Sequence, residues 1–482
     1  MGGACGAALH VTSDLEQGPN KVNTRTRTRW SRFVALFALL GVFPAAAFAQ
    51  YQYPQRSTPT FDEYKDYPQL RGQTQSLTEN VLPPWMALDG EIRSRSEGQT
   101  AINLLPGQGN AYELERIRGG MRIRPTSWLS TYVQFHDLHA LGLPLKYTAA
   151  NMRDNFDFRQ AYAEFHLKQV KLFAGRQLLN FGNERVIGIS DWTQTSRSFD
   201  GFDARIGDKN RVDLFSASVV NIYPTSLDMH AGGLNYHGVY GSINSWVPRT
   251  TVEPFVLVKA MPRVLSQQNI YGTETEVTPG LRVQGFPGWN VDYDVTGTLQ
   301  RGSYSNNSIH AGSLLAKAGY MAASMPWKPH LVAEYDYATG NSHRNAQRIS
   351  TFDQQYPSNH NAFGLVDLFG FQNIKQYRLN MDLNPYPELT LLIQAESLHA
   401  ATRFDGLYSS AGSLLAKAPA AGFPSDDIGT GFDASAKYVY HKYFVFQAGV
   451  GHLFPGRAMT SSSHGAPLTI SWLQFTYRFK MK

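Results

Sequence analysis

Polar and apolar residues alternate along segments of about ten residues from position 86 to the C-terminus. In residues 88–95, Leu88, Gly90 and Ile92 alternate with charged residues at 89, 91, 93 and 95. In residues 116–124, arginines at 116, 118, 122 and 124 alternate with Ile117, Met121 and other uncharged residues. Successive side chains of a strand point to opposite faces, whereas a helix repeats every 3.6 residues. The pattern therefore predicts strands with one charged and one apolar face, and residues 331–337, 377–383 and 473–479 repeat it.

Short and long connections alternate between the predicted strands. Short polar turns are predicted at 125–127, 166–169, 207–210, near Pro248, and at 286–290, 325–329, 384–388 and 441–443. Longer loops are predicted at 96–115, 138–156, 178–197, 221–231, 261–275, 301–311, 340–375, 399–430 and 455–467. Short periplasmic turns and long extracellular loops are typical of outer-membrane barrels, and the segments number about 18, an even count.

The predicted fold is therefore all-β: a transmembrane antiparallel β-barrel of about 18 strands over residues 86–482. A barrel of this size can enclose an aqueous channel. A soluble propeller or solenoid would also show alternation. It would not explain the charged face repeated on successive strands, and the sequence has no repeat at a fixed spacing.

The N-terminal residues precede the barrel pattern. Four arginines between positions 25 and 32 are followed by the apolar run 33–43 and by Ala47, Phe48 and Ala49. A basic segment, a short apolar run and a small-residue cleavage pattern indicate a secretory signal peptide at residues 1–49. Residues 50–85 are rich in Pro, Tyr and Gln and are interpreted as a periplasmic N-terminal extension. The expected location is the outer membrane of a Gram-negative-type bacterium.

Charge and cysteine content narrow the choice of partners. Without residues 1–49, 39 Lys and Arg remain against 36 Asp and Glu, so the net charge falls from +6 to +3. This small excess gives no reason to expect a nucleic-acid partner. The only cysteine, Cys5, lies in the predicted signal peptide, so packing and backbone hydrogen bonds must hold the mature chain together.

Residues 157–177, with the sequence DFRQAYAEFHLKQVKLFAGRQ, are predicted to form a hairpin with a polar turn near 166–169. If Arg159 faces Arg176, then Tyr162 faces Phe173, and one register fixes every other pair. The aromatic pair would face lipid and the two arginines would face the lumen.

Strand phase predicts which charged residues line the lumen. These are Asp89, Glu91, Arg93, Arg95, Arg116, Arg118, Arg122, Arg124, Arg159, Arg176, Asp203, Arg205, Glu334, Asp336, Arg378, Asp382 and Glu396. Fixed guanidinium groups would attract anions and bind carboxylates, which favours an anion-selective channel. The alternative is that these residues pair with one another and only fill a polar interior. Arg197, Asp200 and Asp203 are interpreted as fixing a loop against the wall.

The loops offer no strong signal for a cofactor or for catalysis. Asp353, His360 and Asp367 supply side chains that can bind calcium, but their spacing matches no defined site, so they are interpreted as polar loop structure. No other cofactor is expected. Neither a GxSxG nor an HExxH motif is present, so an enzyme is not expected. The loop 340–375 is long enough to fold inward and gate a pore.

Five stretches together resemble the alginate-export family of outer-membrane proteins. They are residues 157–177, 175–207, 334–341, 351–373 and 449–459. The resemblance implies a monomeric barrel of eighteen strands, set in outer-membrane lipid, whose arginine-lined constriction passes an anionic polysaccharide. It also implies that Arg159 and Arg176 line the constriction, together with Arg93 from the first strand. Periplasmic export components are a further candidate partner.

The expected function is passive transport of an alginate-like polysaccharide or a related organic anion. An uptake porin for small carboxylates or sugars is the first alternative. An outer-membrane enzyme, or a scaffold barrel plugged by crossed ion pairs, is a weaker one. The family contains members outside alginate operons, so the resemblance does not fix the substrate.

Overall fold

The computed structural model describes residues 82–481 apart from 146–147, 267 and 344–346. The predicted signal peptide and most of the predicted N-terminal extension lie outside these residues. Eighteen antiparallel strands form a closed barrel. The strands are β1 (Met86–Gln99), β2 (Asn110–Ile123), β3 (Leu129–Leu141), β4 (Asp154–Leu167), β5 (Val170–Gln177), β6 (Phe199–Ile206), β7 (Asn210–Asn221), β8 (Asn235–Val247), β9 (Thr250–Leu265), β10 (Tyr271–Gly288), β11 (Val291–Tyr304), β12 (Asn307–Met321), β13 (His330–Ala338), β14 (Ile374–Tyr386), β15 (Leu389–Ala400), β16 (Asp427–Tyr440), β17 (Phe444–Pro455) and β18 (Leu468–Met481).

Pairing of the first and last strands closes the wall. Leu88 of β1 lies opposite Met481 of β18, and the ladder continues to Gln99 opposite Ile470. Every wall strand therefore has two neighbours and no edge is left open, which satisfies the backbone hydrogen bonds that lipid cannot. The predicted all-β barrel of eighteen strands is confirmed.

The two faces of the wall differ in the way that the alternating pattern predicts. Ile117, Leu473 and Tyr377 are more than half exposed on the outer face, while the charged residues between such positions are buried inside. Large aromatic side chains are exposed beside the short turns: Trp128, Trp246, Trp289, Trp327 and Tyr386. Amphipathic rings favour the boundary between lipid and water, so these residues form one interfacial belt.

The predicted rhythm of short and long connections is present, but two of the predicted long loops are short. Residues 261–275 were predicted to form a loop, but only 266–270 connect β9 to β10. Residues 301–311 were expected to form a long loop, but β11 and β12 run through them and only Ser305 and Asn306 form the turn. Ser305 has a positive φ of 54°, as a tight hairpin turn requires. The polar residues of this segment belong to strands that extend beyond the apolar band.

The predicted register of the β4–β5 hairpin is wrong by two residues. The turn consists of Lys168 and Gln169 alone, with Lys168 at a φ of 50°, rather than the wider turn expected at 166–169. Arg176 consequently pairs with Ala161 instead of Arg159. It lies in phase with outward residues of β5, so it does not line the lumen.

The prediction that Tyr162 and Phe173 face lipid is also wrong, and a bulge in β4 explains why. Gln134 of β3 pairs with Gln160, and the next residue pairs with Phe158, which leaves Arg159 as the extra residue. Arg159 and Gln160 both point inward, and the phase of β4 reverses beyond them. Tyr162 and Phe173 therefore pack inside the barrel, with ring centroids 5.9 Å apart.

The loops on the long-loop side fold into the barrel and form a core there. Residues 178–198, here called the lumen loop, connect β5 to β6, and residues 339–373, the long inner loop, connect β13 to β14. Phe352, Leu365 and Phe371 of the long inner loop belong to a buried apolar cluster that also includes Trp472 of β18. The described helices are single turns, such as Asn359–Ala362, and none is long and apolar enough to span a membrane.

Candidate functional site

Five arginines from three strands converge on one side of the lumen. They are Arg93 and Arg95 of β1, Arg116 and Arg118 of β2, and Arg159 of β4, here called the arginine wall. Alternate positions of β1 and β2 point inward, and Arg93 lies directly opposite Arg116, so the strand pattern itself places these side chains together. Each of the five is no more than 3% exposed.

Backbone carbonyls of the lumen loop occupy many of the arginine donors. Arg93 donates to the carbonyl oxygens of Asp191 at 2.9 Å and Thr193 at 3.2 Å. Arg95 donates to the carbonyl of Trp192 at 2.8 Å, and its guanidinium lies 3.7 Å from the Trp192 ring centroid. The loop therefore replaces the hydration that these guanidinium groups would otherwise need.

The Asp191 carboxylate is the anion at the centre of the arginine wall. Arg116 contacts both of its oxygens, with Nη1–Oδ1 at 3.3 Å and Nη2–Oδ2 at 3.1 Å. Arg118 Nη1 lies 2.8 Å from Oδ1, and Arg159 Nη2 lies 3.7 Å away. Burial alone would raise the pKa of Asp191, but the surrounding guanidinium groups outweigh it and hold that pKa well below its usual range.

Two further carboxylates neutralise part of the wall. Glu91 accepts a hydrogen bond from Arg116 at 2.7 Å and another from Arg478 at 2.7 Å. Glu97 forms an ion pair of 2.6 Å with Arg95. The five arginines of the wall are thus paired with three carboxylates, so this side of the lumen keeps a positive excess.

The lumen loop reaches a second, acidic side of the barrel through Arg185. Arg185 forms ion pairs with Glu334 and, at 3.2 Å, with Asp336, both on β13. Arg378 of β14 contacts the same two carboxylates at 3.2 and 3.4 Å. Because β13 lies nine strands from β4 around the wall, the loop bridges the lumen between an arginine-rich side and an acidic side.

The two inner loops are also bound to each other. Arg197 donates to the carbonyl oxygens of Gly188 at 2.7 Å, Tyr356 at 2.6 Å and Pro357 at 3.1 Å. The His360 ring stacks on Trp192 with centroids 3.5 Å apart. The long inner loop thus folds inward, and Arg197 fixes one loop against the other rather than against the wall.

The other residues expected in the lumen fall into smaller groups held by ion pairs or by hydrogen bonds to neutral side chains. Asp89 accepts a hydrogen bond from Tyr132 at 3.0 Å. Arg122 donates to Glu164 and to the Tyr162 hydroxyl, both at 3.0 Å. These contacts lie inside the barrel but outside the arginine wall.

Near the short turn between β6 and β7, Arg205 contacts Asp203 at 2.8 Å and Asp213 at 3.3 Å. Its guanidinium lies 4.4 Å from the Phe173 ring centroid. On the lumen side of the neighbouring strands β14 and β15, Glu396 accepts a hydrogen bond from Gln376 at 2.6 Å. These groups support the structural-pairing interpretation at their own positions.

Three expectations about individual side chains need correction. Arg176 lies on the outer face, where it binds Asp200 at 2.8 Å and the carbonyl oxygens of Phe158 and Asp228. Asp200 therefore anchors Arg176 rather than the lumen loop. Arg124 follows the end of β2 and is exposed at the turn instead of lining the lumen.

The candidate calcium ligands Asp353, His360 and Asp367 are not brought together. Asp353 forms an ion pair with Lys259, while His360 stacks between Trp192 and Trp472. Among the described residues, neither group of three close ligating side chains includes His360 or Asp367.

The residues missed by the sequence analysis are Arg185 and Asp191. Strand phase assigns a direction only to residues within strands, and both of these lie in the lumen loop. The available signal was the presence of charged residues in the loop predicted at 178–197. This signal does not indicate which side of the barrel each side chain reaches.

Comparison with known proteins identifies the family. The family described as alginate export matches residues 85–466. The chain belongs to the alginate export family. No curated protein sequence matches this alginate export family member.

Solved outer-membrane proteins share the barrel fold. Pseudomonas aeruginosa OccK11 (OpdR) is 12% identical with a TM-score of 0.53, over 82% of this chain and 96% of that one. Pseudomonas aeruginosa OpdO is 11% identical with a TM-score of 0.57, over 82% and 98%. Acinetobacter baumannii OccAB2 is 9% identical with a TM-score of 0.56, over 82% and 98%. This alginate export family protein is therefore an outer-membrane channel rather than an enzyme.

Proposed function

We propose that this channel passes an anionic saccharide or a related organic anion along its arginine wall. The observation that carries the proposal is the set of contacts that Arg116 and Arg118 make with the Asp191 carboxylate. Arg116 meets both carboxylate oxygens and Arg118 meets one of them at 2.8 Å. A uronate carboxylate presents the same two oxygens, and paired contacts to arginine favour that geometry.

The lumen loop explains how such a site avoids binding its cargo too tightly. A cargo carboxylate that displaces Asp191 exchanges one set of charge-assisted hydrogen bonds for an equivalent set. The net gain in binding free energy is therefore small. This suits a channel, whose sites must bind strongly enough to admit an ion and weakly enough to release it. The lumen loop must withdraw from the wall for this exchange, because the arginines are buried beneath it.

Uptake of small carboxylates is the second candidate. The lumen loop and the long inner loop both lie inside the barrel and bind each other through Arg197. Loops that remain inside during transport would favour small solutes over a polymer. In either case we expect the barrel to act as a monomer in outer-membrane lipid; for export, periplasmic components would supply the polymer.

Ion selectivity in a planar bilayer tests the proposal. Under a salt gradient, the refolded protein should show a reversal potential that indicates anion preference. The double variant Arg116→Gln/Arg118→Gln should lose most of that preference because two fixed positive charges leave the wall. Arg124→Gln is the matched control, since it removes an arginine that is exposed at a turn.

Blocking experiments separate the two substrates. Oligouronates that reduce the current with increasing potency as they lengthen would support a polysaccharide. Small carboxylates that enter proteoliposomes while oligouronates neither enter nor block would support uptake. A cation-selective wild-type pore, or equal selectivity in the double variant and wild type, would contradict the proposal.

A further inference from the structure

A second group of ionisable residues lies at the long-loop end of the barrel, next to the arginine wall, where His136 lies directly opposite Arg118. His136 of β3, Asp154 at the start of β4 and Asp228 in the connection from β7 to β8 each offer one ligating atom, and these atoms lie within 4.8 Å of one another. Their exposed fractions are 3%, 0% and 7%. The group joins three segments that are distant in the sequence.

The contacts within the group leave polar atoms unsatisfied. His136 Nε2 lies 2.7 Å from Asp154 Oδ2. Asp154 Oδ1 and His136 Nδ1 are buried, and neither has a hydrogen-bond partner among the described residues. A fully buried carboxylate oxygen without a donor is costly, and such atoms are rare in native proteins.

Nearby arginines offset the charge of this group only in part: Arg176 attracts the carboxylates of Asp154 and Asp228 from outside the group. Arg176 binds the carboxylate of Asp200 and the backbone carbonyl of Asp228, and its Nη1 lies 3.9 Å from Asp157 Oδ1. A fourth carboxylate, that of Asp157, accepts hydrogen bonds from the backbone N–H groups of Phe158 and Asp228. Two buried carboxylates that face each other repel unless they share a proton or a cation lies between them.

We propose that His136, Asp154 and Asp228 bind a divalent first-row transition ion, with Zn²⁺ as the probe. One imidazole nitrogen and two carboxylate oxygens form a ligand set that such ions accept, whereas calcium and magnesium prefer oxygen ligands alone. Water would fill the remaining coordination positions. The ion ties the connection between β7 and β8 to the ends of β3 and β4.

The second cluster of close carboxylates is a weaker candidate. Glu274, Glu276 and Asp353 also approach one another, but Lys259 lies 2.9 Å from Glu274 and forms an ion pair with Asp353. The ammonium group already supplies the positive charge that a metal would bring. This cluster therefore serves as an internal comparison for the experiment.

Zn²⁺ titration of the refolded, chelator-treated full-length protein tests the site. We expect one equivalent to bind and to raise the unfolding temperature, because the ion binds the folded state only. Asp228→Asn and His136→Gln should each weaken the affinity by more than about tenfold. Asp426→Asn, in another external loop, is the matched control and should bind Zn²⁺ as the wild type does.

X-ray absorption of the Zn²⁺-loaded protein keeps the test independent of any stability change in the variants. A shell of nitrogen and oxygen ligands with one imidazole is expected. No bound Zn²⁺ in the wild type, binding that is unchanged in both site variants, or binding that is lost in Asp353→Asn instead would overturn the proposal. Preference for Ca²⁺ over Zn²⁺ would overturn the assignment of the metal.

Discussion

Replacing Asp191 by Asn removes the carboxylate that holds the lumen loop to the arginine wall. Arg116 and Arg118 would lose an ionic partner while remaining buried, because their side chains are at most 2% exposed. Hydrogen bonds to charged groups contribute roughly 1.5–3 kcal/mol each. The Asp191 side chain is 33% exposed, so solvent screening reduces that value. A total of about 2–4 kcal/mol is the resulting loss for the closed loop.

This loss predicts a large change in the loop equilibrium. At about 1.4 kcal/mol per factor of ten, the ratio of open to closed loop should rise roughly 30- to 1,000-fold. Single-channel recording measures the change as longer and more frequent openings, and the freed arginines should also increase anion preference. Asp208→Asn is the control, because Asp208 is exposed in the turn between β6 and β7.

The same recordings can refute the reasoning. If Asp191→Asn and wild type share the same open probability, conductance and selectivity, Asp191 does not hold the loop closed. A variant that opens more often but loses anion preference would show that the arginines do not face the conducting path.

Two further predictions concern pH and the outer face. Burial, assisted by Glu97, raises the pKa of Asp367 in the long inner loop to about 7. The folded loop therefore gains full stability from the protonated carboxyl below about pH 4 and loses it as the pH rises through 7. Hydrogen exchange of residues 350–373, corrected for intrinsic rates, should show this loosening in wild type, and an Asp367→Asn variant that keeps the same pH dependence would contradict it. Arg176→Ala should retain wild-type anion preference because Arg176 lies on the outer face with Asp200, so a loss of preference in bilayer recordings would place it in the lumen after all.

Strand phase was predictable wherever alternation was uninterrupted. In β1 and β2, charged residues such as Arg93 and Arg118 repeat at every second position, and the apolar residues between them face lipid. The requirement that one face meets lipid and the other meets polar groups fixes that phase without knowledge of any partner strand.

The turn length and register of the β4–β5 hairpin could not be predicted from its own sequence. A turn that is two residues long instead of four moves the register by two, and the sequence KQ does not distinguish these lengths as an Asn-Gly pair would. The bulge at Arg159 then reverses the phase of the strand, because one extra residue exchanges its two faces. Both features depend on neighbouring strands that the hairpin sequence does not contain.

The lumen loop could not be placed for a related reason. Arg185 and Asp191 lie six residues apart, yet they bind opposite sides of the barrel. Their positions depend on a closed wall that already presents complementary charges. Loop sequence alone therefore predicts charged side chains but not their partners.

The bridge made by the lumen loop also constrains how the protein folds. Arg185 and its acidic partners on β13 are separated by 149 and 151 residues, so their contacts form only after much of the chain has been organised. Non-local contacts pay a large entropic cost before they form and therefore tend to appear late. The strands up to β13 must therefore be in place before the loop can bind across the lumen, so we expect the loop bridge to be among the last contacts to form.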